Sequence, residues 1–275
     1  MGSKAVLAAL CVVAALLCAP LLLAPVYAHG EGAESSVPSA GTEQLLKALS
    51  LKVLLAALIV AALFLCAALS MPNAPDAQKN IMFAGIALPL LLGTVYLAGT
   101  TLHLNAVSET RGPVHWHADF EVWWCGNQIH LPTPTGLANS VGTATLHEHG
   151  DNRMHVEGVV MEKSDVDMHH FFEASGGTLT SDTLVMPTDS GMVAAHNGDL
   201  CPDGTRGTLQ GFVYRTHDGA VQQEKLSDIE GYVLAPYSQV PPGDCIILEF
   251  GAQKEMTERV CQTYRQKMKG EANGG

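Results

Sequence analysis

The stretch HWHADFEVWW, residues 115–124, decides how the chain folds after its first hundred residues. In an extended strand alternate side chains fall on opposite faces. His115, His117, Asp119, Glu121 and Trp123 then share one side, and Trp116, Ala118, Phe120, Val122 and Trp124 share the other. The second set is apolar throughout, whereas the first carries ligand chemistry. On a helix the same residues scatter around the axis and neither stripe survives. The segment is read as a strand with a core face and a histidine face.

The alternation recurs in LHEHGDNRMHVE, residues 146–157. His147 and His149 lie on one face of one strand, His155 and Glu157 on one face of the next, with GDN as the turn between them. A transition metal needs such an arrangement, because imidazole nitrogens must converge at ~2.0–2.1 Å and a two-residue period aims neighbours the same way. His115, His117, His147, His149 and His155 are the candidate ligands, of which three or four suffice for one ion. Glu157, Glu121 and Asp119 are further ligands, or acceptors that orient the rings. One HxH pair on an exposed strand is usually a solvated face, but two such pairs and an HxE between residues 115 and 157 form a density that chance rarely supplies. All-nitrogen ligation favours copper, zinc or nickel over the alkaline earths, and Cu(II) leads in affinity. His130, His169, His170, His196 and His217 are read as surface or hydrogen-bonded histidines. Trp116, Trp123 and Trp124 are packing residues, Trp123 being on the histidine face and so placed to shield the site from water.

Outward from this region, the 275-residue chain is 47% hydrophobic and 15% charged, more apolar than an ordinary soluble domain. The excess is concentrated in three runs, 5–27, 45–69 and 81–103, each with the ~20 residues needed to cross a hydrocarbon core. For the first run two readings stay open. Lys4 and the closing Val26-Tyr27-Ala28 fit a signal peptide, and the length of the run fits a first membrane anchor. If cleavage follows Ala28, His29 becomes the N-terminus and can chelate copper through its amine and ring together. Residues 29–44 form an acidic linker outside the cytoplasm, 45–103 a transmembrane hairpin, 104–251 a β-rich extracytoplasmic domain and 252–275 a C-terminal helix and tail. Lys47 and Lys52 at the outer end of the second run weaken the positive-inside argument for this orientation.

Of the 27 acids and 15 bases, four of each precede Leu104, so the remainder carries 23 acids against 11 bases. That surface suits cations and excludes nucleic acid as a partner. Cys125, Cys201, Cys245 and Cys261 lie in the exported part and predict two disulfides in any of three pairings. No CxxC occurs, which places a cysteine-ligated metal second.

Within residues 104–251 short alternating segments are separated by Gly, Pro, Asn and Asp, the signature of a small sandwich or barrel. HADFEVWW and QIHLP form a hairpin around CGN, and GTATLHEH pairs with RMHVEGVV. SDVDMHHFFEASG is a short helix capped by Ser164 or Asp165. GFVYRT and CIILEFG are later strands, and AQKEMTERVCQTYRQKMKG is the C-terminal helix. The expected fold class is thus two or three N-terminal transmembrane helices, a mainly β extracytoplasmic domain and a short C-terminal helix.

The segments GPVHWHADFEVWWCGN (112–127), LHEHGDNRMHVE (146–157) and YVLAPYSQVPPGDCIILEFG (232–251) resemble a family of uncharacterised, membrane-anchored or exported bacterial and archaeal domains. That family opens with G-x-H-x-H-x-x-L-x-I-x-x-N-G, continues with L-H-x-H-D-x-x-G-x-I-H-V-E and closes with Y-x-L-x-D-G-D-x-I-x-I-x-x-G. The two HxH pairs and the closing HVE match, while Gly126 and Asn127 reverse the turn order and Gly150 displaces Asp151 by one place. The resemblance implies a shared polar site and no particular activity. HWHADFE also has the H-x-H-x-x-x-E arrangement of a cupin metal motif, which implies a closed β-barrel and a metal-dependent enzyme. The second cupin motif is absent.

The function expected from these features is a membrane-tethered, extracytoplasmic protein that binds one transition metal, copper or zinc first, for capture, delivery or sensing. Its partners would be the membrane and a metal-receiving protein or a membrane complex. A metal-dependent enzyme of cupin type is the alternative with an open coordination position. An accessory subunit of a membrane complex is the third reading, with Gly85, Gly93 and Gly99 permitting close helix packing.

Overall fold

The structure, a computed structural model, describes residues 38–135, 139–217, 220–233, 243–262 and 264–266. The first apolar run and His29 lie outside the described residues. The chain divides into two compact units, Met1–Val107 and Ser108–Gly275.

In the first unit two long helices, α1 (Pro38–Ser70) and α2 (Asp76–Val107), are joined by the turn around Pro72-Asn73. Both are long and apolar enough to cross a membrane, and few of their residues are buried within the protein. Asp76 opens α2 in the position where an acid favours the helix N-terminus. Gly85 lies against the ring of Phe64 and Gly93 against Ala57, so these two glycines mark where the helices approach; Gly99 has no such neighbour.

The second unit is mainly β. Its strands are β1 (Pro113–Trp124), β2 (Asn127–Ile129), β3 (Val141–Gly142), β4 (Leu146–Glu148), β5 (Arg153–Val159), β6 (Thr178–Leu179), β7 (Thr183–Thr188), β8 (Gly191–His196), β9 (Thr208–His217), β10 (Ala220–Lys225) and β11 (Asp244–Gly251). A 3-10 turn (Lys163–Val166) and helix α3 (Met168–Ala174) follow β5. The large sheet runs β10-β9-β11-β1-β5-β4-β3 with β2 beside the end of β1, and β6-β7-β8 form a small second sheet. The sheets are arranged as in a sandwich and no barrel closes, so the large sheet lacks the closure that the cupin resemblance implies.

β1 organises this unit. Its first half pairs with β5, its second half with β2, and its other edge with β11 in parallel. The β1–β2 turn consists of Cys125 and Gly126, with φ of 49° and 83°. Two consecutive positive-φ residues match the twist of a tight hairpin, which is why the glycine follows rather than precedes the turn's first position. Trp116, Ala118, Phe120 and Val122 enter the main core with Phe171 and Phe172 of α3 and with Leu179, Leu184 and Met186 of the small sheet. Phe120 meets Phe171 edge-on at 5.3 Å.

The opposite face is covered only in part. Phe212, Tyr214, Cys245, Ile247, Cys261 and Tyr264 form a second cluster, against which Trp123 packs. Here the C-terminal segment lies on the sheet. Of the helix expected over 252–270, residues 252–261 are not helical, 262 and 264–266 are, and 263 and 267–270 lie outside the described residues. Upstream, side chains of β9 and β10 take up the backbone. The Lys254 N–H donates to Gln210 and the Thr257 N–H to Gln223, while the Thr257 carbonyl accepts from Gln223 and Tyr214. Cys261 is tied to Cys245, and Cys125 to Cys201, which selects one of the three possible pairings.

Near α3 the cap also differs from expectation. Asp167, not Ser164 or Asp165, accepts the His170 N–H. The residues that bury their side chains are Met168, Phe171 and Phe172, a helical spacing that starts only after the extended Asp167; Ser164 and Asp165 belong to the preceding 3-10 turn.

Candidate metal centre

The histidine face of β1 is left open where β5 and β4 lie beside it. His117 pairs directly with His155 across β1 and β5, and His155 with His147 across β5 and β4. Three histidines thus stand in one row over three neighbouring strands, which lie ~4.8 Å apart. One step along β1, His115 pairs with Glu157, and one step the other way Asp119 pairs with Arg153. His149 follows β4. Met154 and Val156 point the other way, into the core. The apolar alternation of β5 therefore aims His155 at the site.

The donor atoms fall into two sets of three, His115, His117 and His155, and His147, His149 and His155, with the atoms of each set within 4.8 Å of one another. Either set could hold a metal ion. Each runs from an exposed residue, His115 or His149, to His155, which is 9% exposed. The rings of His117 and His155 are 4.6 Å apart and perpendicular, and those of His147 and His155 are 5.3 Å apart and parallel.

The hydrogen bonding around these rings is uneven. His149 Nδ1 donates to the carbonyl of Asn139 at 2.7 Å, leaving Nε2 for an ion. His115 Nε2 lies 2.9 Å from Glu157 Oε1, leaving Nδ1. These are the outer contacts that fix a ligating imidazole. By contrast, both ring nitrogens of His155 and Nδ1 of His147 are buried without a hydrogen-bond partner. The nearest carboxylate oxygens to His155 are Asp151 Oδ2 at 3.8 Å and Glu157 Oε1 at 3.9 Å, beyond hydrogen-bonding reach. Buried polar atoms are normally paired, so this arrangement fits a site whose missing partner is a cation with affinity for imidazole.

Burial, reinforced by the neighbouring charge of His117, lowers the pKa of His155 to about 4. Burial also lowers that of His117, with His115 and Arg153 adding to the effect. Both rings are therefore held in the neutral form that metals bind.

The other residues expected at the site are distributed differently. Glu157 sits among the rings, 4.0 Å from His147 Nε2 as well as beside His115. Asp119 is occupied by Arg153, whose Nε and a terminal nitrogen both reach Oδ1 at 2.8 and 2.7 Å. Glu121 is turned to Arg265 at 2.9 Å and accepts the Trp123 indole N–H at 3.0 Å. Glu121 thus fastens the C-terminal segment and is not part of either set. Trp123 belongs with it, under the guanidinium of Arg259 at 3.8 Å, and does not shield the histidines. Six residues of strand separate it from His117, about 20 Å at the usual rise. His130 donates to Asn152, His169 to the Leu179 carbonyl and His170 bonds to Asp167, each at 2.7 Å, and His196 is 3.4 Å from Asp199. The side chain of His217 lies outside the described residues. Asp151, Arg153 and the Asn139 carbonyl are neighbours that the strand pattern does not single out. The turn GDN was the only signal for the first of these.

No family model, curated protein or solved structure matches the chain. The site is therefore read from its own chemistry.

Proposed function

We propose that the chain is a membrane-tethered protein whose β-rich unit binds a transition metal, copper or zinc, on its histidine cluster and serves metal capture, delivery or sensing. The observation that carries this reading is the row His117, His155 and His147, in which both ring nitrogens of His155 and Nδ1 of His147 are buried without a hydrogen-bond partner. Nitrogen-only donors rank Cu(II) first among divalent ions, and the acidic surface of the unit favours cation approach. The hairpin of α1 and α2 would anchor the unit. A hairpin returns the chain to the side on which it began, that of the acidic segment 29–44, which is the argument for an extracytoplasmic position; the partner in this reading is a metal-receiving protein or membrane complex.

A carrier is favoured over an enzyme of cupin type. A cavity bounded by Asp119, Glu121, Gln128, His130, Asp151 and Arg265 lies nearby, and none of the five clustered histidines lines it. Metal analysis of the purified chain after loading with Cu(II) or Zn(II) and removal of free ion tests the reading. Retained stoichiometric metal is expected; absence of tight copper, zinc or nickel binding would overturn it.

A further inference from the structure

We propose that the cluster holds two metal ions which share His155, the ring nitrogens of that residue facing one ion each. The inference rests on the metal-binding reading above and extends it from one ion to a coupled pair.

Three observations carry it. First, the ligand pairs flank His155 from opposite sides. β5 lies between β1 and β4 in the sheet, so His115 and His117 approach His155 from one neighbour, His147 and His149 from the other. The outer strands are ~9.6 Å apart, twice the strand spacing, and among the described residues the two pairs do not merge into one set of mutually close donors. Second, the donors divide accordingly. Each set of three is mutually within 4.8 Å and His155 is the member common to both. Third, His155 lacks the contact that a singly ligating histidine normally has. Such a residue binds metal through one nitrogen and donates its other N–H to a carboxylate or carbonyl, as His149 can through Asn139 and His115 through Glu157. Neither nitrogen of His155 has such an acceptor, and both are buried. One ion would leave a buried N–H unpaired, which is costly; two ions satisfy both nitrogens.

The proton balance is simple. The neutral ring has one N–H. The first ion takes the lone pair on the other nitrogen, and the second displaces the N–H proton to solvent, leaving a bridging imidazolate. Two bonds of ~2 Å on either side of one ring place the ions about 6 Å apart. Glu157, beside His115 and within 4.0 Å of His147 Nε2, lies where a carboxylate can offset part of the added charge. The exposed members, His115 and His149, give each ion its own entry side.

Titration of the full-length chain in detergent with Cu(II), read by bound metal per chain and by electron paramagnetic resonance, tests the proposal. Two coppers per chain are expected, with an integrated spin signal well below two because the ring couples the ions. His147→Ala should reduce the stoichiometry to one and restore a full one-spin signal. His155→Gln should abolish the coupling, with circular dichroism confirming that the variant is folded, and His117→Ala provides the mirror test from the other side. A saturating stoichiometry of one, or two coppers with a full two-spin signal, would overturn the bridge while leaving metal binding intact. No bound copper would overturn the metal-binding reading itself and the bridge with it.

Discussion

His117 and His155 are directly paired on antiparallel strands, with rings 4.6 Å apart and perpendicular, yet neither ring nitrogen of His155 has a hydrogen-bond partner among the described residues. A buried imidazole with both nitrogens unpaired is costly unless something binds to it. Replacing either histidine by alanine should therefore weaken Cu(II) or Zn(II) binding about tenfold or more. His196→Ala, an exposed residue beside Asp199, should leave affinity unchanged. Competition with a chromophoric chelator reads both; equal effects at His155 and His196 would contradict the site.

Acid should destabilise the metal-free protein. The folded-state pKa of His155 is lowered to about 4 from an unfolded value of about 6.5, so the unfolded chain binds the extra proton first. Stability from this residue is complete above pH 6.5 and declines as the pH falls from there toward 4. His117 contributes in the same direction. Melting temperature measured between pH 7.5 and 4.5 should fall, and His155→Gln should flatten the slope. An unchanged slope in that variant would assign the acid sensitivity elsewhere.

The Asp119–Arg153 pair holds the edge of the site. Asp119 is 6% exposed, and its Oδ2 has no hydrogen-bond partner even with Arg153 in place. Arg153→Met would leave a buried carboxylate without its cation. The usual cost of breaking a buried pair is 3–5 kcal/mol, and the 30% exposure of the Arg153 side chain argues for about 2 kcal/mol. Urea unfolding at neutral pH measures it, and Asp119→Asn combined with Arg153→Met should recover part of the loss.

Disulfides and metal should act independently. Cys245–Cys261 closes a separation of 16 residues, for which chain entropy suggests about 3 kcal/mol. The double variant Cys245→Ser, Cys261→Ser should unfold at lower temperature yet keep its metal affinity, since no cysteine belongs to either histidine set. Loss of copper binding in a folded variant would tie the C-terminal segment to the site.

Orientation is open to labelling. Asp203 is exposed in the loop between β8 and β9. In the proposed arrangement an Asp203→Cys thiol reacts with a membrane-impermeant reagent applied to intact cells; protection until lysis would place the unit in the cytoplasm.

Much of this was legible because strand periodicity is local. The alternation in 115–124 assigns each side chain to a face whatever the strand pairs with, and it identified both the apolar core stripe and the histidines. Helix length and apolarity likewise depend only on composition, so α1 and α2 could be read directly. What the sequence left open depends on partners distant along the chain. Asp119, Glu121 and Trp123 lie on the histidine face just as His117 does, but parallel pairing of β1 with β11 brings the C-terminal segment over that half of the strand, and Arg265 and Arg259 claim Glu121 and Trp123. The same docking diverts the backbone of 252–261 from helix to side-chain partners on β9 and β10. The pairing of Cys125 with Cys201 and of Cys245 with Cys261 is equally a matter of tertiary proximity. Periodicity determined which residues face the site side of the sheet. Sheet order, with β5 between β1 and β4, decided which of them meet, because ligation requires atoms within a few ångströms and only the fold sets that distance.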